Sequence, residues 1–170
     1  MPSRRIGVKI LSIDLERCVG CQNCELACSF YQMGDFKRER SNIWVRLYPE
    51  ERFVATLTCV QCEKPICVKV CPNRALGRDP ETNAVVVDEG RCLGCRMCMQ
   101  ACPFGNIHMD RDRHVVEKCN LCEGDPKCVR FCMGQAISYV EIDEMPENKR
   151  KSLDRKLRRL YPALSSEANR

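Results

Sequence analysis

The alternation of apolar and polar positions along the chain predicts short strands rather than long regular elements. Residues 8–15 and 84–87 are rich in aliphatic and β-branched side chains and predict two strands that lead into loops. Residues 42–48 and 52–57 alternate on either side of a polar turn at 49–51, which is typical of a β-hairpin. The chain has 170 residues, which suits one compact body, and we predict a small α+β fold.

A different pattern occupies the C-terminal segment. Four leucines recur at i, i+4, i+7 and i+11, among many lysines and arginines: Leu153, Leu157, Leu160 and Leu164. This spacing predicts an amphipathic basic helix, although Pro162 should interrupt its last turn. The segment is open to three interpretations: a solvated terminus, a helix lying on a membrane surface, or a helix that docks on a protein partner. We favour docking on a protein.

Cysteine is the residue that carries the candidate chemistry. Sixteen cysteines form four groups, in each of which the fourth follows the third by four positions: Cys18, Cys21, Cys24, Cys28; Cys59, Cys62, Cys67, Cys71; Cys92, Cys95, Cys98, Cys102; Cys119, Cys122, Cys128, Cys132. Three closely spaced thiolates followed by a fourth one helical turn later are typical of ligands to 4Fe-4S clusters. In two-cluster ferredoxins the fourth cysteine ligates the neighbouring cluster. The segments after each fourth cysteine leave room for only one or two helical turns.

Two other uses of cysteine fit less well. A disulfide scaffold needs an oxidising compartment, but Ser3, Arg4 and Arg5 imitate an export signal only faintly, since no apolar region follows them. We therefore expect a cytoplasmic protein. Structural zinc sites separate their two cysteine pairs by about a dozen residues, whereas each group here is tighter. The spacing thus predicts four 4Fe-4S clusters and a role in electron transfer.

The sequence is internally repeated. Residues 13–28 align without gaps on 87–102, and residues 59–76 align on 119–137. Gly20 matches Gly94, and we expect both to allow the tight loop that closes on a cluster. The repeat divides the chain into two ferredoxin-like halves and a basic tail: 1–80, 81–144 and 145–170.

With these motifs the chain resembles the ferredoxin-type electron-transfer subunits of the dimethyl sulfoxide reductase iron–sulfur family. The likeness covers about residues 8–140 and includes all sixteen cysteines. Pro72 and Pro103 follow the last cysteines of the two central groups, as in two-cluster ferredoxins, whereas Ser29 and Met133 depart from that pattern. The resemblance implies a duplicated bacterial ferredoxin-like fold with four 4Fe-4S clusters, a β-hairpin insertion and a C-terminal helical tail.

The resemblance also implies how the cysteines are shared among the clusters. The first group would pair with the fourth, and the second with the third. The implied ligand sets are Cys18, Cys21, Cys24 with Cys132; Cys119, Cys122, Cys128 with Cys28; Cys59, Cys62, Cys67 with Cys102; and Cys92, Cys95, Cys98 with Cys71. The repeat by itself allows pairing within each half equally well.

As a function, the resemblance implies a non-catalytic subunit that relays single electrons. We expect its catalytic partner to be a tungsten or molybdenum pterin oxidoreductase of the aldehyde ferredoxin oxidoreductase type, and its second redox partner to be a flavoprotein or ferredoxin. The alternatives are a free soluble polyferredoxin carrier, or a subunit of a hydrogenase or carbon monoxide dehydrogenase complex. The sequence contains no phosphate-binding glycine loop, dinucleotide fingerprint or nucleophile elbow. An enzyme with a three-ligand cluster is disfavoured by the count of sixteen cysteines.

Charge argues against nucleic acid as a partner. The chain has 28 Lys and Arg against 23 Asp and Glu, a net charge of +5. Residues 145–170 hold eight basic and three acidic side chains, so this excess lies in the tail. Sixteen thiolates around four cores of about +2 each would make the loaded protein net negative. Of the remaining candidate side chains, we expect His108 and His114 on the surface and Trp44 packed against the hairpin.

Overall fold

Antiparallel strand pairs form the framework of the protein. The computed structural model describes residues 8–142, so the predicted helix in the tail at 145–170 lies outside the described residues. The strands in this part of the chain are β1 (Lys9–Ile13), β2 (Ile43–Tyr48), β3 (Phe53–Thr58), β4 (Leu76–Arg78), β5 (Val85–Val87), β6 (His108–Asp110), β7 (Val115–Glu117) and β8 (Ile137–Glu141). They form two-stranded sheets in the pairs β1–β8, β2–β3, β4–β5 and β6–β7. The predicted mixture of short helices and strands is confirmed.

The segments with alternating or β-branched sequences are strands in the structure. β1 lies within the predicted segment 8–15, and β5 within 84–87. The alternating segments form the hairpin β2–β3, whose register pairs Ile43 with Thr58 at one end and Tyr48 with Phe53 at the other. Ile43 is buried because its face of the hairpin packs on the core, whereas Tyr48 lies at the exposed end.

The first and last strands pair with each other, which the local pattern does not reveal. In the β1–β8 sheet, Lys9 lies opposite Glu141 and Ile13 lies opposite Ile137. This pairing brings the loop that follows β1 to the segment that precedes β8. The first and fourth cysteine groups adjoin these two segments, so the sheet draws them together.

Four α-helices complete the framework of residues 8–142: α1 (Asn23–Met33), α2 (Ile66–Lys69), α3 (Met97–Ala101) and α4 (Lys127–Arg130). α1 packs against α4, and α2 packs against α3. Each helix carries the third cysteine of its group. The helices therefore lie mainly between the third and fourth cysteines. Only α1 continues past its fourth cysteine, and it does so by about one turn.

Two further hairpins have the same turn. Asp79 begins the β4–β5 turn and accepts hydrogen bonds from backbone N–H groups at 2.7 and 3.1 Å. Asp110 does the same in the β6–β7 turn, at 2.8 and 3.1 Å. Each turn ends on a residue with positive φ, Asn83 at 58° and His114 at 56°. An aspartate that bonds to its own turn stabilises such a reversal without glycine.

Thiols make up part of the hydrophobic core. One buried cluster consists of Cys24, Cys28, Ile43, Val45, Cys128 and Ile137. A second consists of Cys67, Leu76, Val85, Cys98, Ile107 and Val116. Each cluster draws on residues from both 1–80 and 81–144, so the cores do not follow the sequence repeat; the division into those halves stays a prediction.

Candidate metal centres

A cavity unites the second cysteine group with the last cysteine of the third group. Its lining includes four thiols and one lysine: Cys59, Cys62, Cys67, Cys102 and Lys118. The other lining residues are mainly apolar, among them Ile66 and Val85. Three thiols of this cavity lie close in sequence, while Cys102 arrives from the end of α3, which packs on α2.

A second cavity unites the fourth group with the last cysteine of the first. Four buried thiols line it: Cys28, Cys119, Cys122 and Cys128. Cys28 reaches this cavity because it lies on α1, which packs against the α4 helix that carries Cys128. Both cavities thus receive three thiols from one group and a single thiol from another.

Cys24, in the first cysteine group, is likewise related to a cysteine of another group. Burial raises the pKa of Cys24 to about 12, and negative charge on Glu25, Cys18 and Cys132 raises it as well. Cys132 packs against the buried cluster that contains Cys24, so Cys24 lies near the last cysteine of the fourth group.

The corresponding thiol of the third group is Cys98. Burial raises its pKa to about 11, with further contributions from negative charge on Cys71 and Cys92. Cys71 and Cys92 both pack against the buried cluster that contains Cys98, so the structure brings Cys71, from the second group, to the third group.

Positive-φ residues shape the loops that carry the first three thiols. Gly20 and Gly94 have φ of 70° and 62°, as the repeat predicts for a tightly curled loop. Gln22 and Arg96 repeat this conformation, at 62° and 65°, immediately before the helices α1 and α3. The two loops therefore follow the same path, so each presents its thiols from a local turn.

Backbone N–H groups point at three of the fourth-position sulfurs. Ala75 N donates to Cys71 Sγ at 3.2 Å, and Ala136 N donates to Cys132 Sγ at 3.1 Å. Asn42 N donates to Cys28 Sγ at 3.3 Å. An amide donor favours sulfur as a thiolate, which is the form that binds iron. Such hydrogen bonds also raise the reduction potential of a cluster that the sulfur ligates.

Burial opposes ionisation of the same thiols when no metal is bound. It raises the pKa of Cys119 to about 11 and also raises the pKa of Cys128 and Cys67. The positive charge of an iron core would stabilise these thiolates, because metal binding displaces the thiol protons. Buried thiols in groups of four, with amide donors behind them, fit iron–sulfur clusters in their donor chemistry.

The described residues show two further features of the chain. Within residues 8–142, His, Cys, Asp and Glu side chains do not converge in threes or more on the position of a single metal ion. Over the same residues, no helix has the length and apolar character needed to cross a membrane.

Two polar side chains near the thiols were not singled out by the sequence. Gln61 joins two segments, since its Nε2 donates to Cys119 O and its Oε1 accepts from Val85 N, both at 2.9 Å. Lys118 is buried beside Cys119. A glutamine or a lysine near a cysteine in sequence does not indicate a role at a metal centre. The positions of Gln61 and Lys118 beside the thiols become visible only in the packed structure.

The expectation of two surface histidines is wrong for His108. Its side chain is 19% exposed, and its Nε2 lies 3.5 Å from Glu117 Oε2. Burial lowers the pKa of His108, which favours the neutral ring. Trp44 packs beside this ring and donates from Nε1 to Ser41 O at 2.6 Å, so it joins the hairpin to β6.

An apolar groove of about 540 Å³ runs between α1 and α4. Three phenylalanines on its walls are unusually exposed for their size: Phe30 at 52%, Phe36 at 66% and Phe131 at 59%. Phe30 and Phe36 stack with their ring centroids 4.7 Å apart. Phe131 immediately precedes Cys132, so the groove adjoins the first and fourth cysteine groups.

Comparison with known proteins gives consistent matches. The family of 4Fe-4S dicluster domains matches residues 51–142, and a 4Fe-4S binding domain matches residues 15–31. The thiosulfate reductase electron transfer subunit PhsB of Salmonella typhi is 35% identical over 146 residues, covering 77% of this chain and 74% of that protein. The B subunit of the anaerobic dimethyl sulfoxide reductase of Escherichia coli is 35% identical over 153 residues, covering 78% and 73%. The aliphatic sulfonate oxidoreductase polyferredoxin-like subunit of Pyrococcus furiosus is 41% identical over 121 residues, covering 71% and 69%.

Proposed function

Because the chain belongs to the 4Fe-4S dicluster family, with electron-transfer subunits of oxidoreductases among its relatives, we propose that it relays electrons through four 4Fe-4S clusters between a catalytic subunit and a second redox protein. Each cluster, when bound, accepts and releases one electron without other chemistry. The residues of this chain hold the thiolates in place, exclude water around them and supply hydrogen bonds to their sulfurs. The observation that carries the proposal is the assembly of thiols from distant groups around shared cavities.

We propose the four cross-ligated sets that the family resemblance implies. Two of them are supported by the cavities, which the Cys102 and Cys28 thiols enter from other groups. The other two are supported by packing, because Cys132 packs against the buried cluster that contains Cys24, and Cys71 against the one that contains Cys98. If the cysteine groups instead shared ligands within each half of the chain, the second group would have to lie beside the first.

The four sets follow one another in a line in this proposal. Support comes from pairs of thiols that belong to neighbouring sets and share a hydrophobic cluster: Cys24 with Cys128, Cys119 with Cys59, and Cys67 with Cys98. Because the thiols of successive sets share a packed cluster, the tunnelling distances between the sets would be short. The series begins with the set that contains Cys21 and ends with the set that contains Cys95.

Both ends of this series reach the surface. Cys21 and Cys95 are the exposed thiols among the sixteen, and each belongs to an outer set. Electrons can therefore enter at one end and leave at the other. The thiols of the set that follows the Cys21 set, which are Cys28, Cys119, Cys122 and Cys128, are all buried. The groove beside Phe131 lies at the Cys21 end, and we propose that the catalytic subunit docks there. Exposed aromatic side chains in one groove favour a subunit over a free carrier, which has no need of an apolar patch.

As the catalytic subunit we propose a tungsten or molybdenum pterin oxidoreductase of the aldehyde ferredoxin oxidoreductase type. The relatives of this chain are subunits of reductases and of an oxidoreductase, which supports a partner of that general class. A flavoprotein or ferredoxin would exchange electrons at the Cys95 end.

Isolation of the native complex under anaerobic conditions tests this proposal. The chain is recovered with its partners, and the complex is analysed for iron, acid-labile sulfide, tungsten, molybdenum and nickel. We expect about sixteen iron and sixteen sulfide per copy of the chain, absorption that bleaches on reduction, and a pterin metal in a second subunit. Nickel in the second subunit would indicate a hydrogenase or carbon monoxide dehydrogenase instead. Recovery of the chain alone as a monodisperse protein would favour a free carrier, and zinc without sulfide would contradict the proposal entirely.

A further inference from the structure

Lys118 is a buried cation at the centre of the thiol series. It follows β7 directly and is 4% exposed. Its Nζ donates to Cys119 O at 2.8 Å and also to Val85 O. Lys118 also lines the cavity that contains the thiols of Cys59, Cys62, Cys67 and Cys102.

No carboxylate balances this charge in the described part of the chain. The ion pairs of residues 8–142 involve other cations, and the carboxylate of the neighbouring Glu117 pairs with Arg113. Two carbonyl acceptors satisfy hydrogen bonds but carry no net charge. A buried ammonium group without a counter-charge is strongly unfavourable, so a negative group should lie nearby when the protein is fully assembled. The thiolates that line the same cavity are the groups on this wall that can supply it.

The lysine also breaks the internal repeat. Lys118 precedes Cys119, and the corresponding residue before Cys59 is Thr58. Thr58 is also buried, and its hydroxyl donates to Asn42 O at 3.1 Å. The charge is therefore present at only one of two equivalent positions. This difference makes the electrostatic surroundings of the two middle ligand sets, those of Cys119 and of Cys59, unequal.

We propose that Lys118 is a counter-ion built into the protein for the cluster held by Cys59, Cys62, Cys67 and Cys102, and that it raises the reduction potential of this cluster. The inference rests on the proposed function, because it requires a cluster at that ligand set. Uptake of an electron adds one negative charge to the cavity. A fixed positive charge on its wall favours that state, and the low dielectric of the interior strengthens the effect.

The test separates the charge of Lys118 from its hydrogen bonds. Lys118→Gln removes the charge but keeps an N–H donor for the carbonyl acceptors. Lys118→Arg keeps the charge. Lys64→Met removes an exposed charge from the loop between Cys62 and Cys67 of the same ligand set, where water screens it, and serves as the matched control. The full chain is titrated potentiometrically under anaerobic conditions, with each cluster followed by electron paramagnetic resonance.

In Lys118→Gln we expect one cluster to become harder to reduce. At a fixed potential its ratio of reduced to oxidised form should fall at least about tenfold, which corresponds to about 59 mV for one electron. The affected signal should be the one that Cys102→Ser perturbs. Lys64→Met should change the ratio much less, and Lys118→Arg should stay close to the wild type.

Unchanged potentials in Lys118→Gln at full iron content would overturn the inference and leave the proposed function standing. If Lys118→Gln fails to retain iron, Lys118→Arg decides: a potential like that of the wild type supports the counter-ion, and a potential lower by about 59 mV or more, although the positive charge is kept, overturns it. A wild-type chain without iron and sulfide would overturn both the inference and the proposed function.

Discussion

Gly94 lies directly against the backbone carbonyl of His114. A β-carbon at position 94 would come within 2.7 Å of His114 O, a distance that real β-carbons do not reach. Gly94 also has φ of +62°, and His114 immediately precedes β7. The contact fixes the loop of the third cysteine group on the β6–β7 hairpin. The position of the thiols on this loop therefore depends on the absence of a β-carbon at position 94.

Replacement of this glycine should therefore weaken the third cysteine loop. In Gly94→Ala the methyl group meets backbone, which cannot move aside cheaply, and we expect a loss of about 1–3 kcal/mol of stability. The matched control is Gly20→Ala, at the equivalent repeat position with φ of +70°, where the nearest atom belongs to the flexible side chain of Leu47. Thermal loss of cluster absorption under anaerobic conditions measures both variants. Equal destabilisation of the two would show that the φ angle, and not the His114 contact, determines the cost.

Cross-ligation predicts which cluster each fourth cysteine affects. Cys132→Ser should perturb the cluster at Cys18, Cys21 and Cys24, because Cys132 packs against the buried cluster of side chains that contains Cys24. The variant should lose up to about four iron per chain, or keep the cluster with an altered spectrum. Electron paramagnetic resonance of the reduced protein distinguishes the clusters.

The companion variant Cys28→Ser should perturb the cluster at Cys119, Cys122 and Cys128, since these thiols share a cavity with Cys28. If it instead perturbed the cluster at the second cysteine group, the ligands would be shared within each half of the chain.

The exposed aromatic groove should contribute to binding of the catalytic subunit. Phe36→Ser removes a ring that is 66% exposed and stacks on Phe30, so the fold of the chain should tolerate it. We expect the affinity for the catalytic subunit to fall about tenfold, with unchanged iron content. Leu57→Ser, on the hairpin strand β3, is the control because this side chain is also about half exposed but lies away from the groove. Equal affinities of wild type and Phe36→Ser would move the interface to another surface.

The ion pair in the β6–β7 turn should be insensitive to pH near neutrality. Burial raises the pKa of Asp110, but hydrogen bonds from the Arg113 side chain and from backbone N–H groups outweigh it and hold the pKa at about 2. The folded pKa lies below the ordinary value of 3.8, so this stabilisation is fully present above about pH 4 and is lost only as pH falls through about 2. Asp110→Asn should lower the midpoint temperature of cluster loss by a few degrees, equally at about pH 6 and about pH 8. A difference that shrinks toward pH 6 would mean that another group titrates with this turn.

The sequence by itself determined the local features of the candidate centres. The spacing of three cysteines in a loop and one a helical turn later is a short-range property, and it predicted both the chemistry and the loop conformation. Gly20 and Gly94 adopt the positive φ that the repeat predicts. Likewise, alternation over 42–48 and 52–57 predicted a hairpin, because successive side chains of a strand point to opposite faces and this period of two is visible in the local sequence.

Tertiary structure decided which distant residues meet. The pairing of β1 with β8 draws the first cysteine group to the fourth, over a separation that no local pattern encodes. Burial of Lys118 and His108 has the same origin, since a polar side chain is buried by the elements that pack over it and not by its own neighbours in sequence. The spacing of the cysteines determines how the three thiols of one loop are arranged, because they are close in sequence. Which distant cysteine joins them depends on the packing of helices and sheets that are far apart in the chain.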